Sequence, residues 1–129
     1  MPAAEPFPFA YAILRVVPRV ERGESINAGV VLFARQHRFL DARAHLDRAR
    51  LRALDAACDP SPIERHLDAL VRVARGEPGA GPVASLEPSE RFSWLAAPAS
   101  TIVQPGPVHT GLTEDPAGQL DRLFQELVA

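Results

Sequence analysis

The chain has 129 residues, of which 47% are apolar and 23% charged, and its formal net charge is −2. That length suits a single domain over 1–129, and the composition is that of a globular chain, not a disordered one. No apolar run approaches the roughly 18 residues that a membrane span needs, and a charge so near zero argues against bulk affinity for nucleic acid.

Residues Phe9–Val17 are rich in β-branched and aromatic types, and Pro18 ends the run. Ile26–Ala34 is a second such run. The polar stretch 18–25 between them contains Gly23, so the pair reads as an antiparallel hairpin. Both runs are apolar at odd and even positions, which predicts strands covered on both faces. After a turn at 36–38, Phe39–Leu46 alternates: Leu40, Ala42, Ala44 and Leu46 on one face, Asp41, Arg43 and His45 on a wet one. Asp47 caps a predicted helix Arg48–Cys58 with Leu51, Leu54 and Cys58 at helical spacing. Arg43, Arg48, Arg50 and Arg52 crowd this region, but Asp41, Asp47 and Asp55 are interleaved, so it reads as a solvated face.

Asp59-Pro60-Ser61-Pro62 breaks the pattern. Ser61 as N-cap, Pro62 at the first helical position and Glu64 two later predict a second helix to about Arg75, with Gly76 just past its end. Residues 76–88 are rich in Gly and Pro and read as a mobile surface loop. Ser89–Ala97 predicts a short helix that Pro98 ends, and Ser100–Gln104 a fourth strand. Pro105-Gly106-Pro107 interrupts that strand, and Val108–Gly111 reads as a loop. Asp115-Pro116 opens a last helix with Leu120, Leu123, Phe124, Leu127 and Val128 on its stripe. The order β-β-β-α-α-(α)-β-α has consecutive strands without helical crossovers. It predicts the α+β class: an antiparallel sheet of about four strands with two to three helices packed on it.

Every basic residue is arginine, and with 21 Ala and 13 Pro this points to a GC-rich bacterial coding bias. Without lysine there is no P-loop and no Schiff base. The four histidines, 37, 45, 66 and 109, lack zinc spacing, so neither metal nor cofactor is expected. Cys58 is the one thiol, which fits a cytoplasmic location, and on an apolar stripe it reads as a small buried hydrophobe. The opening residues Met1–Pro6 have neither a basic nor an apolar signal region, so no signal peptide is expected.

The chemistry-bearing candidates are polar residues set among apolar strands, which read either as a buried polar network that fixes the strand register or as a ligand site. Arg15 must pair or line a cleft, because an unpaired buried charge is costly. A hairpin centred near Glu21 puts it opposite Asn27, with Glu24 close enough to supply a countercharge. Asn27 and Gly29 are read as sharing one face, the glycine leaving room for a helix or ligand. The loop around His109 is a second candidate, because imidazole titrates near neutrality. Arg91, with Phe92 and Trp94, is a third; the two aromatics read as core more readily than as a base-stacking platform.

Two segments carry a family resemblance. Tyr11-Ala-Ile-Leu-Arg15-Val-Val-Pro18, followed by Glu24-Ser-Ile-Asn27-Ala-Gly29-Val-Val-Leu-Phe33, resembles the opening of a bacterial family known as domain of unknown function 3037. Arg91-Phe-Ser-Trp94, Ser100-Thr-Ile-Val-Gln104-Pro105 and Val108-His-Thr-Gly111 are similar to its C-terminal signature. Arg15, Glu24, Asn27, Gly29, Arg91, Gln104, His109 and Gly111 match its motifs. The resemblance implies no particular reaction, but it implies a protein partner, a HipA-like kinase encoded beside members of the family.

Two functions follow as expectations. One is an accessory module that docks a partner protein. The other is a small-molecule or nucleotide-binding protein, or an enzyme, in which Arg15, Asn27, Arg91 and His109 converge on one cleft, arginine for an anion and histidine for proton transfer.

Overall fold

The computed structural model describes residues 5–129. Met1–Ala4, part of the segment read as lacking a signal peptide, lie outside the described residues. Five strands form one sheet: β1 (Phe7–Val16), β2 (Ile26–Ala34), β3 (Phe39–Ala44), β4 (Val103–Pro105) and β5 (His109–Thr113). The helices are α1 (Arg48–Leu54), α2 (Pro60–Ala74), α3 (Pro88–Leu95) and α4 (Pro116–Leu127), with 3-10 turns at Arg35–His37 and Pro82–Ser85. The class is α+β, as expected, and every strand pairing is antiparallel.

β1 is central because its two edges are both used. β2 takes one. The other is shared: β5 pairs with Phe7–Tyr11 and β4 with Leu14–Val16, so the break at Pro105-Gly106-Pro107 splits a single neighbouring strand in two. The Gly106 N–H still donates to the Ile13 carbonyl at 2.8 Å across the break.

The sheet is covered on both faces, which is why β1 and β2 lack simple alternation. Ala12, Leu14 and Val16 of β1 and Leu40 and Ala42 of β3 meet Ile63, Leu67 and Val71 of α2 and Phe92 and Leu95 of α3. On the opposite face Phe9, Val30, Leu32 and Ala34 meet Leu120, Leu123 and Phe124 of α4. The face of β3 read as wet is therefore partly roofed: the Arg43 guanidinium lies 4.6 Å from the centre of the Phe124 ring and pairs with Asp121. Arg48 pairs with Glu64 and Arg50 with Asp47, so the arginine-rich stretch is a solvated face as expected.

The hairpin register puts Arg15 opposite Asn27, and a bulge between Leu14 and Arg15 shapes it. Leu14 pairs with Gly29 and Arg15 with Asn27, so Ala28 is the extra residue. A bulge shifts the in-and-out parity of its strand by one. Gly29 and Ala28 both turn toward the α2–α3 side, where a Cβ on Gly29 would lie 3.2 Å from Leu14 Cδ1. Asn27 turns the other way, and its side-chain amide donates to the Leu127 carbonyl of α4 at 3.1 Å. The expectation that Asn27 and Gly29 share a face is thus corrected.

Other departures have local causes. α1 stops at Leu54 because the Asp55 carboxylate accepts the Ala57 N–H and bends the chain away, leaving Cys58 in the connection. α2 is capped by Asp59, not Ser61; its carboxylate accepts the Ser61 N–H, and Pro60 takes the first helical position. The 76–88 loop is built around its 3-10 turn and buries Ala84. The stretch read as a loop at 108–111 lies mostly in β5, which its own polar residues did not announce. Pairing with Phe7–Tyr11 makes it a strand.

Candidate functional site

Part of the predicted constellation comes together. Alternation along β1 places Phe9, Tyr11, Ile13 and Arg15 on the α4 side of the sheet. His109 pairs with Tyr11, and their rings lie 5.2 Å apart. Gln104 pairs with Arg15 from β4, and Asn27 pairs with it from β2. Arg15, Asn27, Gln104 and His109 therefore share one face of the sheet, and Asn27 reaches the end of α4. Two of the four, Asn27 and Gln104, spend their amides locally, while Arg15 and His109 make no side-chain hydrogen bond or ion pair among the described residues. Asn27 holds the last turn of α4, Gln104 Nε2 donates to the Thr101 carbonyl at 2.8 Å, and the Arg15 guanidinium lies flat against Gly106. A Cβ on Gly106 would stand 3.0 Å from the guanidinium carbon, so that glycine, which the sequence reading passed over as a strand break, is what lets Arg15 lie down.

The other four residues of the set supply no functional group to this face. Glu24 accepts from Arg22 in the exposed turn and supplies no countercharge to Arg15. Gly29 makes room for the neighbouring strand, with the Arg43 carbonyl oxygen 3.0 Å from where a Cβ would be. Gly111 makes room for the Phe9 ring, whose Cε1 is 2.8 Å from the corresponding point. Arg91 stands on the side of the sheet that α2 and α3 cover, so the four-residue cleft of Arg15, Asn27, Arg91 and His109 does not form. Its guanidinium donates to the Leu86 carbonyl at 2.7 Å and reaches the Ala74 carbonyl at the end of α2 at 3.4 Å. Gly76, with φ +65°, ends α2 against that same guanidinium. Arg91 is a staple between α2, α3 and the 76–88 loop. Arg91→Met should cost about 1 kcal/mol by removing those two bonds, the one to Leu86 being open to water. Urea unfolding would measure the loss, and amide exchange should quicken across 76–88.

Phe92 is core, stacked on Phe33 at 5.5 Å, but Trp94 is not: it is 48% exposed. It rims a groove of about 330 Å³ between α2, α3 and β4. Leu14 and Leu70 form the floor, Leu95, Val103 and Pro105 the walls, and His66 and Thr101 the polar margin. Ile102, next to it in the chain, is 40% exposed. Sequence periodicity could not find this groove, because Trp94 falls outside the stripe of Phe92 and Leu95 yet lies beside an apolar hollow made by distant elements.

Chemical activation is sparse. Burial, with Asp55 and Asp59 nearby, pushes the Cys58 thiol above its usual range, which keeps it protonated and unreactive. Among the described residues no group of three or more His, Cys, Asp or Glu is placed to hold a metal ion, and no helix is long and apolar enough to cross a membrane.

A comparison with protein families matches the chain over residues 11–128 to the model described as "Protein of unknown function (DUF3037)". The chain belongs to the DUF3037 family. Neither the curated proteins nor the solved structures gave a match. Seen on the fold, the DUF3037 motif residues of this chain divide by role. Gly29, Gly111 and Arg91 hold strands and helices together; Asn27 holds the end of α4; Arg15 packs on Gly106; His109 projects exposed from the sheet.

Proposed function

We propose that this DUF3037 chain is an accessory module that docks an apolar segment of a partner protein in the groove beside Trp94. The half-exposed tryptophan carries the reading. It is the chain's single Trp, and it stands over Leu70, Leu95 and Val103 instead of being folded under. Tryptophan is among the residues most enriched where binding energy concentrates at interfaces. The groove's size favours a short segment over a second copy of the chain. About 330 Å³ holds a few side chains, whereas a stable dimer buries roughly 800 Å² on each partner. A HipA-like kinase is the first protein to try, on the family resemblance.

The single Trp is also the reporter. A displayed library of short apolar and aromatic peptides should yield binders that blue-shift Trp94 emission and compete with purified HipA-like kinase. Trp94→Ser should weaken them by about 2 kcal/mol or more, the scale of an interface hot spot. Thermal stability should change little, because the side chain is half in water. Enriched peptides that bind Trp94→Ser as tightly as the parent would overturn the reading, as would dimerisation through this face in sedimentation.

A further inference from the structure

β3 is an outer strand, paired with β2 alone. Outer strands carry N–H and C=O groups without ladder partners, and folded proteins cover or charge them. Here one stretch of the edge is closed and the next is open. The His45 N–H donates to the Ala28 carbonyl at 2.8 Å, so the odd-numbered positions at this end turn their peptide groups toward β2. Ala42 turns outward. Its N–H is taken by the Asp41 carboxylate at 2.7 Å, and Arg75 Nε holds that carboxylate at 2.9 Å. Under this latch Ala42 is 1% exposed. By the alternation of the strand, the Ala44 peptide group points outward too, and half-buried Ala44 opens on a groove of about 400 Å³ between α2 and α4.

The groove has apolar walls, Leu67 and Val71 from α2 and Phe124 from α4, and a charged rim. Most of that charge is neutralised in place. Arg43 pairs with Asp121, Arg75 with Asp41 and Glu64 with Arg48. Asp68, exposed on α2, has no cation within ion-pair distance among the described residues. The groove thus offers an unpaired main-chain group, an apolar wall and one carboxylate left over.

We infer that this groove docks an extended peptide segment with a basic side chain. The segment pairs with Ala44 as a short added strand. Side chains two apart on it face α2 together: an apolar one lies on Leu67 and Val71, and a Lys or Arg reaches Asp68. The latch at Ala42 limits the pairing to a short stretch, which excludes a full-length β3 from a second copy. The inference does not depend on the Trp94 groove.

The probe is an acetylated heptapeptide alternating threonine with valine, one valine replaced by lysine, glutamate or serine, followed by amide chemical shifts of the whole protein. The lysine peptide should shift Ala44 and its neighbours saturably. The serine form should bind at least fivefold more weakly, and the glutamate form more weakly still. Asp68→Arg should reverse the order of the lysine and glutamate peptides. Ala44→Pro, which removes an outward N–H at an edge where proline is tolerated, should abolish the shifts. Trp94→Ser should leave them unchanged. Equal binding of all three peptides, an unaltered order in Asp68→Arg, no saturable shift, or shifts gathered around Trp94 would each overturn the inference. If Ala44→Pro does not fold, the exposed Asp68 substitution decides.

Discussion

Gly29→Val is expected to lower stability by about 3 kcal/mol, seen as a fall in the urea midpoint with the slope of the transition unchanged. The atoms nearest the position leave little room. A Cβ there would sit 3.0 Å from the Arg43 carbonyl oxygen, 3.2 Å from Leu14 Cδ1 and 3.3 Å from the Ala44 Cβ. The first is backbone of the adjoining strand, fixed by the β2–β3 ladder. The second belongs to a side chain only 1% exposed, in the middle of the α2–α3 core. A single methyl, in Gly29→Ala, requires shifts of a few tenths of an ångström and should cost about 1 kcal/mol. The two branches of valine need more room than that shift supplies. Gly23 is the contrast within the same hairpin. It has nothing within 4 Å and is needed for its backbone, at φ +72°, not for space.

The hairpin shows where sequence reasoning works and where it stops. Two apolar runs of known length joined by a polar turn fix which residues face each other, so the pairing of Arg15 with Asn27 was legible. The bulge at Ala28 was not, because an extra residue leaves the composition of a strand unchanged while reversing the face of everything beyond it. Asn27 therefore reaches α4 rather than joining Gly29. The partners of Arg91 were hidden for a related reason. An arginine near two aromatics resembles a ligand-binding group, and nothing local reveals that carbonyls at Ala74 and Leu86 lie within its reach. β5 is polar, short and preceded by prolines, and only the free edge of β1 makes it a strand. The α4 helix was legible throughout, because Asp115, Pro116 and five apolar residues at helical spacing all pointed to one answer.

Phe124→Ala should cost about 3–5 kcal/mol, the largest loss from one side chain on the α4 side of the sheet. Phe124 is 8% exposed and packs with Val30 and Leu32, both fully buried, so truncation leaves a cavity between helix and sheet that neither can close. The ring also lies under the Arg43 guanidinium at 4.6 Å and lines the groove along β3. Two further substitutions and a double-mutant cycle separate these roles. Phe124→Leu keeps most of the volume and should cost no more than about 1.5 kcal/mol. Arg43→Met removes the cation from over the ring and its exposed ion pair with Asp121, and should cost about 1 kcal/mol or less, because both interactions face water. A double-mutant cycle between the two positions, read from urea midpoints, should give a coupling of about 0.5–1 kcal/mol. A much larger coupling would mean that Arg43, not the apolar stripe, holds α4 down. A loss below about 2 kcal/mol for Phe124→Ala would mean that the helix can settle onto the sheet without its ring. Since Val30 and Leu32 share β2 with Ala28 and Val31 of the other core, undocking α4 would bare one face of a strand whose opposite face holds the rest of the protein together. Unfolding should therefore remain a single transition by circular dichroism and Trp94 fluorescence alike, even though the probe lies on the far side of the sheet from the substitution.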